Sequence, residues 1–77
     1  MEDLLTYLAQ QLVDHPEQVR VERTETAPGE VRLTLHVADD DVGKVIGKQG
    51  RVARALRTVV KASAVRTGGR VHVEIGA

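Results

Sequence analysis

The fold of this chain is decided by one stretch, Val42-Gly43-Lys44-Val45-Ile46-Gly47-Lys48-Gln49-Gly50-Arg51. Glycine lacks the Cβ atom that restricts φ and ψ, so it lets the backbone turn sharply and approach another chain closely. The spacing of Gly47 and Gly50 around Lys48-Gln49 therefore predicts a tight loop between two helices. Its amides and Lys48 can lie against a sugar-phosphate backbone.

A purely structural interpretation is also available, in which Gly47 ends one helix in a left-handed conformation and Gly50 is a linker. The flanking residues favour a binding loop instead. Apolar Val45-Ile46 leads into the loop, Lys48 lies inside it and Arg51 follows it directly.

Length and composition limit the classes of protein. A chain of 77 residues predicts one domain, spanning 1–77. The absence of cysteine excludes disulfides and thiolate metal sites. The apolar runs are too short to cross a membrane, and the start Met1-Glu2-Asp3 is acidic, unlike a signal peptide. We therefore expect a soluble cytoplasmic protein with no membrane partner.

The formal net charge is zero, but the charge is unevenly distributed. Residues 1–40 carry nine acidic and three basic side chains, whereas residues 41–70 carry one acidic and eight basic ones. Positive charge is thus concentrated around the glycine loop and the segment after it. Such a local field attracts phosphate even when the whole chain is neutral.

The first half of the chain predicts a helix and a β-hairpin. Apolar residues recur at helical spacing over 3–14, with Asp3 as the N-cap and His15-Pro16 at the end. Residues 19–25 and 31–37 alternate in polarity, and the intervening Pro28-Gly29 is typical of a type II turn. The two strands should pair antiparallel.

Asp39-Asp40-Asp41 could be a carboxylate cluster for metal binding or acid–base chemistry. Consecutive side chains point in different directions, however, and no histidine motif or second carboxylate group accompanies them. The position favours capping, in which Asp39 or Asp40 caps a short helix that starts near Asp41. No metal site and no catalytic residue are expected.

Residues 51–66 predict a second long helix with two faces. One face is basic and carries Arg51, Arg54, Arg57 and Lys61. The opposite face is apolar, and we expect it to meet the core through Val52, Leu56, Val59 and Val60. The basic face has no acidic partners one turn away, so attraction to phosphate is favoured over a merely solvated surface.

Gly68-Gly69 then turns the chain into a last strand over 71–75. His36 and His72 lie on the polar faces of predicted strands and can be neighbours across the sheet. Two histidines without a third ligand make a poor metal site, so a surface pair is expected.

The predicted order of elements is that of the type II KH fold, and the chain resembles the small bacterial KH-domain protein A family over nearly all of its length. The most specific part is residues 41–51 followed by 55–62. The resemblance implies an α+β domain of order α-β-β-α-α-β. Its three-stranded mixed sheet has the 31–37 strand in the centre and helices on one face.

The same resemblance implies a protein that holds short single-stranded RNA at its G-x-x-G loop and in an adjacent apolar groove. The resemblance maps the loop contacts onto Gly47, Lys48, Gln49 and Gly50, and the groove floor onto Val42, Ile46 and residues near Leu35 and Val37. Lys44, Arg51 and Arg54, the basic residues nearest the loop, are expected as further contacts from the charge pattern. Gln49 departs from the basic or small residues common at its position. Aromatic residues that stack bases are missing except for Tyr7, which is expected at the edge of the core, so little sequence specificity is expected.

The resemblance further implies a homodimer, or a heterodimer with a larger KH-containing Jag-type protein. The implied role is that of a post-transcriptional regulator or RNA chaperone, in some bacteria connected with cell shape.

The residues also allow three other classes of protein to be compared: a DNA binder, a protein-interaction module and a nucleotide hydrolase. A helix-turn-helix DNA binder would place the basic helix in a major groove, but the helix before it is very short and the strands are foreign to most such folds. A KH fold used only for protein interaction or dimerisation stays open. A phosphate-loop hydrolase fails, because a pattern opened by Gly43 needs glycine, lysine and a hydroxyl residue where the chain has Lys48, Gln49 and Gly50. No enzyme activity, cofactor or small-molecule substrate is expected.

Overall fold

The computed structural model of the chain describes residues 1–66 and 68–75. The main elements are α1 (Glu2–Leu12), β1 (Arg20–Ala27), β2 (Glu30–His36), α2 (Val42–Ile46), α3 (Arg51–Arg66) and β3 (Arg70–Ile75). Short 3₁₀ turns lie at Pro16–Gln18, Asp39–Asp41 and Lys48–Gly50. This is the predicted α+β order α-β-β-α-α-β. The prediction of one domain over 1–77 includes Thr67, Gly76 and Ala77, which lie outside the described residues.

The sheet has the predicted mixed topology. β2 is central and pairs antiparallel with β1 and parallel with β3. Pro28-Gly29 joins β1 to β2, and Gly29 has the positive φ of +76° that the third position of a type II turn requires. Both α2 and α3 belong to the crossover from β2 to β3, so the glycine loop between them is part of that connection.

The core lies between the sheet and the helices. Completely buried side chains come from α1, β2, α2 and α3: Leu5, Leu33, Leu35, Val45 and Val60. Burying one such side chain contributes about 2 kcal/mol. Alternation along β2 leaves Arg32, Thr34 and His36 on the opposite face of the sheet, as predicted.

The first helix differs from its prediction at both ends. Met1, rather than Asp3, is the N-cap of α1, and the helix ends at Leu12 because Val13 is already extended. Tyr7 is exposed rather than at the edge of the core, since it lies two residues, about 200°, from the buried Leu5. The first strand extends to Ala27, beyond the predicted 25, because the hairpin pairing continues up to the turn.

The second long helix has the predicted bounds, but its buried face is rotated. Val59, predicted to face the core, is 45% exposed, while Ala53 and Ala64 are buried. The sheet therefore covers the side of α3 that carries the small alanines, and the side that carries Val59 faces outward.

The two sheet histidines are not neighbours. The β2–β3 register pairs His72 with Arg32, four residues away from His36 along β2. His72 Nε2 instead lies 3.1 Å from Glu30, and His36 Nε2 lies 3.2 Å from Glu22. Among the residues that the structure describes, none of the helices combines the length and apolar composition that crossing a bilayer would take.

Candidate nucleic-acid interface

The glycine loop is a turn built from three positive φ angles. Gly47 (φ +74°, ψ 174°) ends α2, its amide donating to the Gly43 carbonyl at 2.9 Å. Gln49 (φ +57°) and Gly50 (φ +73°) then reverse the chain into α3. Within the described residues the amides of Lys48 and Gln49 have no hydrogen-bond acceptor. They are therefore available to phosphate oxygens.

The two glycines are required for different reasons. A Cβ at Gly47 would collide with the side chain of Val52 and lie only 3.0 Å from its amide nitrogen, so Gly47 allows α3 to pack against the end of α2. A Cβ at Gly50 would meet no atom within 4 Å, so only the backbone angle favours glycine there. The outer side of the loop is left open to a ligand.

Three predicted contact residues carry positive charge beside this loop. Lys48 and Arg51 are exposed and have no ion-pair partner within the described residues. Arg54 is exposed too, but its Nη2 donates to the Gln49 carbonyl at 2.9 Å. Arg54 thus holds the left-handed residue of the loop in place, and this structural role was not predicted.

Lys44 does not point into the same space. Its Nζ makes an ion pair with Asp14 and lies 3.4 Å from Oδ1 of Asp41. The hydrogen bond to Asp14 raises the pKa of Lys44, with Asp41 adding to the effect. The charge of Lys44 is therefore already neutralised inside the protein.

The three aspartates do not cap helices with their side chains, so that prediction was wrong. No side-chain capping bond is made at the start of the Asp39–Asp41 turn or of α2. Asp41 is instead completely buried, and its carboxylate accepts the amides of Asp14 at 3.1 Å and His15 at 3.0 Å. It links the chain after α1 to the start of α2.

Hydrogen bonds decide the protonation of this buried group. Burial by itself raises the pKa of the Asp41 carboxyl, but the amides of Asp14 and His15 and the ammonium of Lys44 outweigh it, so the pKa lies below its usual value. Asp41 is therefore held as a carboxylate.

His15 brings a third potential metal ligand to the aspartates, which sequence reasoning did not foresee. The ligand atoms of His15, Asp40 and Asp41 lie within 4.8 Å of one another. Both oxygens of Asp41 already accept hydrogen bonds from amides. The His15 ring lies 3.3 Å from Asp40, and the hydrogen bond between them raises the pKa of His15. The arrangement fits a tie between two segments better than an ion site.

The predicted groove floor is divided in the structure. Val42, Ile46 and Val37 are half-buried and can contact a ligand. Leu35 is completely buried and belongs to the core instead, because its side chain lies on the helix-covered face of β2, whereas half-buried Thr34 and His36 lie on the other face.

A second apolar groove, which the sequence did not reveal, lies between α1 and α3. It has a volume of about 430 Å³ and is lined mainly by apolar side chains, including Leu8, Leu12, Val52 and Val59. Leu12 and Val59 are exposed, although Leu12 belongs to the apolar pattern predicted over 3–14 and Val59 was expected to meet the core. The two helices thus leave part of their apolar faces uncovered.

Comparisons with known proteins agree with one another. The family model described as KhpA/KhpB, KH domain, matches residues 2–75. A protein of Clostridium acetobutylicum named RNA-binding protein KhpA is 52% identical, over 97% of this chain and 99% of that protein. Proteins with the same name from Bacillus subtilis and Treponema pallidum are 48% and 50% identical, over 97% and 96% of this chain and 91% of each relative. No solved structure gives a significant match.

Proposed function

This chain belongs to the KhpA/KhpB KH-domain family, and on that premise we propose that it binds short single-stranded RNA through the Gly47–Gly50 loop. The relatives are named RNA-binding proteins, and the family is not one of enzymes. The observation that carries the proposal is the loop itself. It presents two free amides beside Lys48 and Arg51, and neither cation is neutralised by an acid within the described residues.

The chemistry of this loop fits a sugar-phosphate chain. Free amides donate to phosphate oxygens, and the neighbouring Lys and Arg side chains release the counterions condensed on the nucleic acid when they neutralise its phosphates. Val42 and Ile46 supply a half-buried apolar surface next to the loop, on which a base can rest. Lys44 plays a structural part in this proposal, since Asp14 and Asp41 hold it.

The test is the double variant Lys48→Asp with Gln49→Asp. Both residues are exposed, so the fold should survive, while two carboxylates would face the phosphates and abolish RNA binding. A matched control is Gln18→Asp with Arg20→Asp, which makes the same change in net charge at exposed positions near the start of β1. Binding of a short single-stranded RNA should be lost in the first variant and nearly kept in the second. Parental affinity in a folded loop variant would exclude the loop as the site.

We propose that a second copy of the chain covers the groove between α1 and α3. The groove is almost entirely apolar, since Arg51 is the one charged residue among the described residues that line it, and exposed Leu12 and Val59 border it. A two-fold arrangement would place Val59 of each copy against the same surface of the other. Two linked loops would also strengthen RNA binding without new contacts at either one.

Sedimentation of the parent and of Val59→Asp checks this dimer. The parent should sediment as a dimer and the variant as a monomer with an unchanged circular dichroism spectrum. A monomeric parent would overturn the homodimer and leave a larger KH-containing protein as the occupant to test. We also propose that the chain is one KH domain over its full length and that it acts in the cytoplasm as a post-transcriptional regulator or RNA chaperone.

A further inference from the structure

The basic side chains of this protein fall into two groups. Four of the eleven lie in the first part of the chain, and each makes an ion pair: Arg20 with Glu22, Arg23 with Glu2, Arg32 with Glu74, and Lys44 with Asp14. The other seven, from Lys48 to Arg70, make no ion pair with an acidic side chain in residues 1–66 and 68–75. The unneutralised charge therefore extends well beyond the glycine loop.

These cations continue along α3 toward its far end. Lys61 follows Arg51 by ten residues, a distance of about 15 Å along a helix. Between them Arg57 leans toward the edge strand, its Nε donating to the Val73 carbonyl at 3.2 Å. The basic face of α3 thus meets β3 at the side of the molecule where the sheet ends.

A cleft of about 250 Å³ lies at this place, between the C-terminal half of α3 and the start of β3. Lys61, Arg70 and His72 surround it, and buried Ala64 and Val71 form its floor. No acidic side chain is among the described residues that line it. Glu30 is the acid held nearby, and it contacts His72 rather than Lys61 or Arg70.

We propose that this cleft, called here the α3–β3 cleft, is a second contact site for single-stranded RNA. The inference rests on the proposed function, because the RNA in the cleft is the continuation of the strand that the glycine loop holds. A KH loop contacts about four nucleotides, and a longer strand leaving it can follow the basic face of α3. Lys61 and Arg70 then bind phosphates, and the apolar floor accepts a base or ribose.

RNA length provides the test. The double variant Lys61→Gln with Arg70→Gln removes two charges from exposed positions. Its affinity for an RNA of about five nucleotides should match that of the parent, because the loop alone holds such a ligand. Its affinity for an RNA of about twelve nucleotides should fall roughly tenfold, and the log–log salt slope should shrink by about 1.4 for two lost phosphate contacts.

The matched control is Arg20→Gln with Arg23→Gln, which makes the same change in net charge at two ion-paired positions. It should bind both RNAs like the parent. Parental affinity of the Lys61 and Arg70 variant for the long RNA would overturn the second site and leave the loop proposal intact. An equal loss of affinity for the short and the long RNA would also overturn the second site. It would indicate that Lys61 and Arg70 act only through the overall positive potential of the protein. A parent protein that binds neither RNA would overturn both the loop proposal and the second site.

Discussion

The two charged residues that flank α2, Asp41 and Lys48, lie seven residues apart and use their charges in opposite ways. At the N-terminal end Asp41 is buried, accepts two amides and neighbours Lys44, so its charge is satisfied within the protein. At the C-terminal end Lys48 is exposed and no described acid pairs with it. The difference separates residues that build the site from residues that are left for a ligand.

The motif consists of two parts with different roles. Sequence spacing treats residues 41–51 as one binding signature. The structure divides it into a tether, Asp41 with Lys44, and an open loop, Gly47–Gly50. Substitutions in the tether should therefore act on stability first, and substitutions in the loop should act on binding or on the turn.

The largest effect is expected at the tether. Asp41→Ala would leave the part-buried amides of Asp14 and His15 without their acceptor. It would also take one of two carboxylate partners from Lys44, which keeps Asp14. Losing one partner of a buried charged network is among the most damaging single changes. We expect the melting temperature, followed by circular dichroism at neutral pH, to fall by roughly twenty degrees.

Asp39→Ala is the control, because Asp39 is two residues away, exposed, and has no side-chain hydrogen bond within the described residues. Its melting temperature should stay within a few degrees of the parent. Similar falls in the melting temperature of both variants would contradict the structural role assigned to Asp41.

A smaller effect separates the two glycines of the loop. Gly50→Ala should cost about 1 kcal/mol in the free energy of unfolding, from the positive φ alone. Gly47→Ala should cost about 3 kcal/mol, because ψ of 174° at this positive φ is open almost only to glycine and the new Cβ also meets Val52. Urea denaturation of both variants measures the difference.

Val52→Ala provides the control for that contact. In the double variant Gly47→Ala with Val52→Ala the closest contact, that with Cγ2 of Val52, is absent, while the Cβ and the amide nitrogen of residue 52 remain 2.9 Å and 3.0 Å away. The two changes together should therefore cost less than their sum, and additive losses would show that Cγ2 of Val52 does not restrict Gly47.

Much of the fold was predictable because it follows from local patterns. The alternation in β2, the Pro28-Gly29 turn and the bounds of α3 each depend on residues close together in sequence, and all three are confirmed. The glycine spacing likewise located the loop between α2 and α3.

What sequence reasoning missed depends on distant contacts. Asp41 was expected only at the start of the short helix that Asp39 or Asp40 would cap, yet its partners Asp14 and His15 lie 27 and 26 residues away. Periodicity placed Val59 on the apolar side of α3. Periodicity does not reveal, however, how much of the helix circumference the neighbouring elements cover. The pairing of Lys44 with Asp14, 30 residues apart, was hidden for the same reason.

The smallest effect is expected at the exposed contact between His15 and Asp40, next to the tether. The hydrogen bond and charge of Asp40, helped by Asp41 and Glu17, raise the pKa of His15 above 6.5. A raised pKa means that the folded protein holds the proton more tightly than the unfolded chain. The stabilisation is therefore complete below pH 6.5 and is lost as the pH rises through the pKa of the folded state. The carboxyl of Asp41 behaves in the opposite sense, since its lowered pKa removes stability only as the pH falls below 3.8.

Asp40→Asn weakens this contact while nearly preserving the shape of the side chain. Its melting temperature should lie a few degrees below that of the parent near pH 5.5, and the gap should narrow toward pH 8.5 as His15 loses its proton in both proteins. Asp41 stays ionised across this range, so it does not contribute to the change. Asp39→Asn makes the same change in charge without touching His15, and its gap from the parent should not vary in this way. A gap for Asp40→Asn that is constant with pH would mean that His15 does not need its proton to hold the segment after α1 against the start of α2.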